Sequence, residues 1–276
     1  MRVVFIGLLG LLHCFSIVRA QDIHVNGQVR GQDEMPLAYV NIGIELQNIG
    51  TVSQPDGRFE LSIPDEYRTD SLLFSVIGYH PRKVAIQSLL GGNPNIILSP
   101  RSYEMEHINV KAKRAKTKKI GRKRKGLLKI VMYMEDDNLG SEFGRFFESD
   151  KEHSKLENLS FYIHHNPFDS IKFRVNVYEE ENGEPSKNIL RENIFVTYGE
   201  ESGWVNVDVS KYEIYPKGNF FVSMEWIEDK NHPEDRKLFF ASRLIGAKDT
   251  WSRKVSQGTW KRSNSADMVM NATISY

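Results

Sequence analysis

The segment Pro55-Asp56-Gly57-Arg58-Phe59-Glu60-Leu61-Ser62-Ile63 decides how the first third of this 276-residue chain is read. Its Asp-Gly step tolerates the positive φ that a tight turn needs. Beyond the turn, Phe59, Leu61 and Ile63 alternate with Arg58, Glu60 and Ser62, so one face of a strand meets a core and the other meets water. Upstream, Val40, Ile42, Ile44 and Leu46 keep the same period, and Asn48-Ile49-Gly50 marks the next turn. Ile23, Val25 and Val29 alternate around Gly27. Downstream, Leu72 to Ile77 is a continuous apolar run, as a central strand requires. Lys83-Val84-Ala85-Ile86, Asn95-Ile96-Ile97-Leu98 and His107-Ile108-Asn109-Val110 follow. About seven short strands with no helix predict a small β-sandwich over residues 21–110.

Charge divides the rest. The chain carries a formal net charge of only +1. Residues 21–110 hold 6 basic and 11 acidic side chains, 111–125 hold 10 basic and none acidic, and 126–276 hold 19 and 25. Near-neutrality is thus a cancellation between two acidic blocks and one basic run, KAKRAKTKKIGRKRK. A self-repelling run with almost no apolar content cannot bury a core, which predicts a basic linker over 111–126.

Residues 127–276 alternate again. Ile171, Phe173, Val175 and Val177 interleave with Lys172, Arg174 and Asn176, and Asn182-Gly183 behind Glu179-Glu180-Glu181 reads as a solvated hairpin tip. Val205, Val207 and Val209 form a second row; Phe220, Val222, Met224 and Trp226 a third; Met268, Met270 and Ile274 belong to a closing strand pair. Short helical turns are expected around Ser141–Phe147 and Ser210–Tyr212. About eight strands in a jelly-roll-like sandwich is the economical arrangement, and the fold class is all-β.

Several motifs resemble the carboxypeptidase-regulatory-like domain: Asn26-Gly27-Gln28-Val29, Pro36-Leu37-Ala38-Tyr39-Val40-Asn41-Ile42, Gly50-Thr51-Val52-Ser53, Asp56-Gly57-Arg58-Phe59-Glu60-Leu61 and Phe74-Ser75-Val76-Ile77-Gly78-Tyr79. Ser53-Gln54 stands where that family usually has Thr-Asp. The resemblance implies a transthyretin-like (prealbumin-like) seven-stranded sandwich acting as a non-catalytic module. The block from Leu159-Ser160-Phe161-Tyr162-Ile163 to Phe220-Phe221-Val222-Ser223-Met224-Glu225-Trp226 looks, more loosely, like the domain that comes after it in exported bacterial proteins.

Met1-Arg2, the apolar run Val3 to Leu12 and Val18-Arg19-Ala20 read as a secretory signal over residues 1–20. Cleavage after Ala20 would remove the only cysteine, Cys14; lipoprotein processing at Cys14 fits poorly behind His13. The expected location is the periplasm, the outer-membrane periphery or the extracellular space.

Catalytic patterns are missing. No His is followed by Glu three residues on, as a zinc carboxypeptidase requires, and His164-His165 would diverge on a strand. There is no Gly-x-Ser-x-Gly elbow and no phosphate loop. Glu179-Glu180-Glu181 is a poor carboxylate pair for glycoside hydrolysis, and Glu135-Asp136-Asp137-Asn138 lacks the spacing of an EF-hand. No cofactor or metal is expected.

Two groups remain as candidate binding residues. Trp251 and Trp260 lie in a polar stretch and would either stack on sugar rings or plug the end of the sandwich. Lys118, Lys119, Arg122, Lys123, Arg124 and Lys125 would meet an anionic membrane surface, or serve only as solvated linker. Export and the absence of interleaved aromatics argue against nucleic acid. The expectation is a non-enzymatic binding or scaffolding protein of the envelope, its partner a protein or glycan. The alternatives are a carbohydrate-binding accessory protein and an accessory subunit of an envelope peptidase or transporter.

Overall fold

The computed structural model describes residues 22–102, 116–124, 130–135, 139–150, 154–230, 237–244 and 249–276. The chain is all-β; helical structure among these residues is confined to 3-10 turns at Asp65–Tyr67, Ile86–Leu89 and Ser210–Tyr212. The last of these is where the sequence predicts one.

The first sandwich is built from β1 (Ile23–Gly31), β2 (Asn41–Gly43), β3 (Gly50–Val52), β4 (Arg58–Ile63), β5 (Ser71–Ser75), β6 (Arg82–Ala85) and β7 (Asn95–Leu98). One sheet runs β4-β1-β7 and the other β3-β2-β5-β6. The rows read from the sequence meet between them: Val25, Val29, Ile42, Phe59, Ile63, Leu72 and Phe74 share one core. Phe59 and Phe74 pack edge-on at 5.4 Å between ring centres. Gly50–Val52 is a strand, where the sequence shows only a turn signal, because three residues are too few to display a period. The strand expected at His107–Val110 falls outside the described residues.

The second sandwich comprises β8 (Thr117–Gly121), β9 (Ile130–Glu135), β10 (Glu142–Phe147), β11 (Lys155–His165), β12 (Ser170–Glu181), β13 (Glu184–Asn188), β14 (Ile194–Gly199), β15 (Gly203–Asp208), β16 (Phe220–Lys230), β17 (Lys237–Arg243), β18 (Thr250–Arg253), β19 (Lys261–Arg262), β20 (Asp267–Met268) and β21 (Met270–Ser275). One seven-stranded sheet has the order β13-β12-β16-β10-β18-β19, with β14 also on β12. The other has the order β20-β17-β11-β21-β8, with β15 on β11 and β9 on β17. Phe161, Phe173 and Phe240 join the two sheets, at 5.9 Å for Phe161–Phe173 and 6.1 Å for Phe173–Phe240. The hairpin between β12 and β13 turns on Asn182 and Gly183, both with positive φ (55° and 82°), the pair of left-handed positions a two-residue type I′ turn requires.

Three expectations change. Among the described residues the two sheets together hold fourteen strands rather than about eight, since short polar strands such as Glu184–Asn188 carry no apolar alternation. Ser141–Phe147 is not a helical turn: Glu142–Phe147 is β10, central in its sheet. The basic segment is not all linker. Thr117–Gly121 pairs antiparallel with β21, Ile120 opposite Ala272, and Ile120 packs on the core. Lysine-rich composition suits an edge strand as well as a linker, because charge blunts an open sheet edge.

Candidate functional site

Alternation along β12 points Ile171, Phe173, Val175 and Val177 into the core and Lys172, Arg174, Asn176 and Tyr178 outward. On β16 the outward row is Phe221, Ser223, Glu225 and Ile227; β10 adds Glu142, and β18 adds Trp251 and Arg253. On a solvated sheet these polar groups would be wet. Here Arg174, Asn176, Glu142 and Glu225 are each no more than 2% exposed. The first sandwich helps to cover this face, and Arg174 itself contacts it.

Glu142 and Glu225 stand directly opposite each other across the β10–β16 ladder. Two like charges in that position repel, and burial adds a desolvation cost, so both need compensation. Arg174 supplies it to Glu225, donating from Nε and Nη2 to Oε2 at 2.9 and 2.8 Å. Arg253 donates from Nε to Glu142 Oε2 at 2.6 Å. Asn176 Nδ2 bridges the two carboxylates at 3.0 Å to each. Tyr178 donates to Glu142 Oε1 at 3.0 Å, and Ser223 donates to the same oxygen. Burial, then the Glu142 charge, pushes the Tyr178 hydroxyl well above its ordinary value. The Arg253 guanidinium is raised in turn: burial opposes its charge, but Glu142 outweighs it.

Arg174 is also the joint. It donates from Nη1 to the Tyr39 carbonyl at 2.7 Å and from Nη2 to Asn41 Oδ1, both in the first sandwich. The Tyr39 hydroxyl donates to Glu228, and Lys172 Nζ donates to Tyr39 Oη at 2.6 Å and to Glu228 at 2.7 Å. Beside this triad, Tyr39 and Val52 form an apolar contact with Ile227. A second contact closes the far side. The Leu46 amide donates to the Gln257 carbonyl at 2.9 Å, and Gln257 Nε2 donates to Ser75 Oγ at 2.7 Å. Close approach here needs glycine: a Cβ on Gly43 or Gly50 would lie 2.7 or 2.3 Å from the Ser256 carbonyl oxygen. Tyr39, Leu46 and Gln257, all at this junction, are non-glycine residues at positive φ (56°, 61° and 63°). Such conformations persist where surrounding contacts over-determine them.

Between the two contacts the sandwiches leave a cleft of about 290 Å³. Its floor is Asn176, Tyr178 and Asn188; Tyr79, Pro81 and Gln257 stand on its sides. It shares Arg101, Asn188 and Leu190 with a neighbouring hollow of about 350 Å³.

Of the residues selected from sequence, the two tryptophans border this face and the basic run lies elsewhere. Trp251 is 6% exposed and packs edge-on against Phe221 at 5.8 Å, so its face is not offered to a sugar. Trp260 is half-buried on the same cluster, against Tyr178 at 5.7 Å, with the Arg253 guanidinium 5.1 Å from its ring centre. Of the basic residues, Arg122 is committed to the buried Asp267. Lys118 pairs with Asp150 at 3.2 Å; Lys119, Lys123 and Arg124 are exposed, and Lys125 lies outside the described residues. Asp136, Asp137 and Asn138 of the acidic loop also lie outside them. His165 follows a bulge in β11 and rests 6.0 Å from the Phe239 ring.

Sequence reasoning misses Arg174, Glu225 and Glu142 because an outward row is read as wet. One signal is present. In Phe220 to Ile227 apolar residues occupy both registers, which marks a strand covered on both faces, and Glu225 sits inside it.

Comparison with known proteins agrees with the fold of the first part. Residues 25–110 match the family model of the CarboxypepD_reg-like domain. This regulatory-like β-sandwich contributes Tyr39, Asn41, Ser75, Tyr79 and Arg101 to the joint and cleft. No curated protein matches the chain. Among solved structures, it is similar to the cysteine protease and lectin-like domains of Cwp84, a surface-layer-associated protein of Clostridium difficile. The identity is 14% and the TM-score 0.38, over 49% of this chain and 32% of that one. The clostridial cysteine protease Cwp84 after propeptide cleavage gives 13% identity and TM-score 0.41, over 92% and 71%. The chain therefore spans about a third of the first of these structures.

Proposed function

We propose that this chain is a non-catalytic, exported binding or scaffolding protein of a bacterial cell envelope. The observation that carries the reading is the joint. A CarboxypepD_reg-like domain caps the charged face of a second sandwich through Arg174, Tyr39 and the triad with Glu228. Burying the Arg174 guanidinium, paired with Glu225 in its own sandwich and hydrogen-bonded to Tyr39 and Asn41 of the other, suits a protein that presents surfaces at a fixed spacing. The acidic and basic groups in the joint neutralise one another structurally, so they are not left to exchange protons with a substrate. The partner is an envelope protein or glycan.

The test has two arms. The chain expressed in a bacterial host should lose residues 1–20 and sediment with the envelope fraction. The purified protein should leave peptide and glycoside substrates unhydrolysed. Retention in the cytosol, or metal-dependent turnover abolished by a single side-chain change, would overturn the proposal.

A further inference from the structure

We infer that the sheet edge formed by β8 and β9 rests on an anionic lipid bilayer, its cations meeting phosphate headgroups and its exposed apolar side chains entering the interface. The inference rests on the exported-scaffold reading above and adds a second contact to it. Strand pairing defines the edge. β15 takes one side of β11 from Asn158 to Ile163, and β21 and β17 share the other side. β8 lies on β21 and β9 on β17, so both run along one margin of the sheet. The joint with the first sandwich is made from the opposite sheet, by Arg174, Lys172 and Glu228.

Lys116, Lys119, Lys123 and Arg124 are exposed at this margin, and Lys237 lies over the Tyr133 ring, 5.1 Å from its centre. Among the described residues, Lys119, Lys123 and Arg124 form no ion pair. Asp150 pairs with Lys118 at 3.2 Å, and the buried Asp267 takes Arg122 and Arg145, so both acids are neutralised where they stand. Charge by itself is expected on an open strand edge, where it prevents pairing with another sheet. Edge protection does not explain apolar exposure at the same place. Among the described residues, the second sandwich exposes four large apolar or aromatic side chains, Tyr133, Phe195, Leu244 and Tyr276. Three of them belong to this margin. Tyr133 is on β9, and Tyr276 exchanges backbone hydrogen bonds with Lys116 at 3.0 Å. Leu244 follows Arg243, which stands opposite Asp267, the partner of Arg122. Contiguous apolar exposure marks an interaction site. A bilayer interface offers phosphates to Lys and Arg and a headgroup layer to amphipathic rings. A neutral glycan would leave the cations unanswered, and a soluble polyanion would leave Leu244 in water. The bilayer uses both.

The test is co-sedimentation with lipid vesicles of the chain beginning at Gln21, so that the apolar run Val3 to Leu12 takes no part. Vesicles of phosphatidylcholine alone are compared with vesicles of phosphatidylcholine and phosphatidylglycerol. Binding to the anionic vesicles is expected to be at least about tenfold tighter and to weaken as salt rises. Lys119→Gln combined with Lys123→Gln and Arg124→Gln should weaken it by at least about tenfold and leave the unfolding midpoint unchanged. The same loss of charge on the first sandwich, Arg58→Gln with Arg68→Gln and Lys83→Gln, should leave binding as it was. Leu244→Ser with Tyr133→Ser should also weaken binding, which a purely electrostatic attachment would not show. Absence of binding, equal binding to both vesicles, or indifference to the Lys119, Lys123 and Arg124 variant would each overturn the inference. Indifference to the Leu244 and Tyr133 variant would overturn it too, in favour of a soluble polyanion. A chain that ignores vesicles can still sediment with the envelope through a protein or glycan, so the two proposals fail separately.

Discussion

Arg174 has two jobs that the sequence does not reveal, neutralising Glu225 and holding Tyr39. Arg174→Met leaves a carboxylate buried without its partner, which costs about 3–5 kcal/mol. Adding Glu225→Met removes the orphaned charge and should recover most of the loss; urea denaturation of the single and double variants checks this. Failure of the double variant to recover would mean that the contact with Tyr39, not the ion pair, dominates. A pH effect belongs to the half-buried triad. Burial opposes the charge on Glu228, but hydrogen bonds from Lys172 and Tyr39 outweigh it and hold the carboxyl below its ordinary 4.5. Its contribution is present above that value and is lost as pH falls through the lowered one. Lys172 and Tyr39 are raised above 10.5 and 10.0, so their share is present below those values and disappears as pH rises through the raised ones. Glu228→Gln should therefore flatten the acid side of the stability curve as pH falls below about 4.5, by less than about 1 kcal/mol because the group is partly solvated. An unchanged slope would remove Glu228 from the joint's energetics.

At the scale of elements, alternation in the sequence reveals β1, β4, β12 and β16 because each is long enough to repeat its period. It does not reveal β3, β13 or β19, which are short or polar, and it mistakes β8 for linker. The charges of the basic run repel one another wherever it lies, but backbone pairing with β21 and burial of Ile120 outweigh that repulsion for Thr117–Gly121. The Lys116 amide donates to the Tyr276 carbonyl at 3.0 Å and the Arg122 amide to the Met270 carbonyl at 2.7 Å, bracketing the strand. Both amides should exchange slowly with deuterated solvent, whereas a solvated linker would exchange at once; hydrogen-exchange mass spectrometry decides between them. The candidate site is still less legible. Whether an outward row is wet or covered depends on a second sandwich whose placement no local pattern encodes, so Glu142 and Glu225 cannot be selected from their own strands. The glycines of β2 and β3 are hidden for the same reason. Gly50→Ala would put a methyl group 2.3 Å from the Ser256 carbonyl.

For the whole molecule, the charge break after residue 110 suggests two bodies on a tether. The structure instead joins the two sandwiches through hydrogen bonds from the buried Arg174 to Tyr39 and Asn41, the Tyr39–Lys172–Glu228 triad, the Gln257 contacts and three left-handed residues. A tether would give two independent unfolding events; a fixed joint couples them. Calorimetry of the intact chain should show one cooperative transition, and Gly50→Ala should lower or split it, at a cost of about 1–3 kcal/mol. Two transitions in the unaltered chain would refute the coupling. The joint has a consequence for how this architecture can be inherited. A domain whose outer surface is already soluble can be shuffled between genes as a cassette. The second sandwich parts from its companion less easily, because a descendant that lost it would bare the apolar Ile227 and strip Arg174 of its Tyr39 and Asn41 acceptors, so selection favours keeping the two halves together.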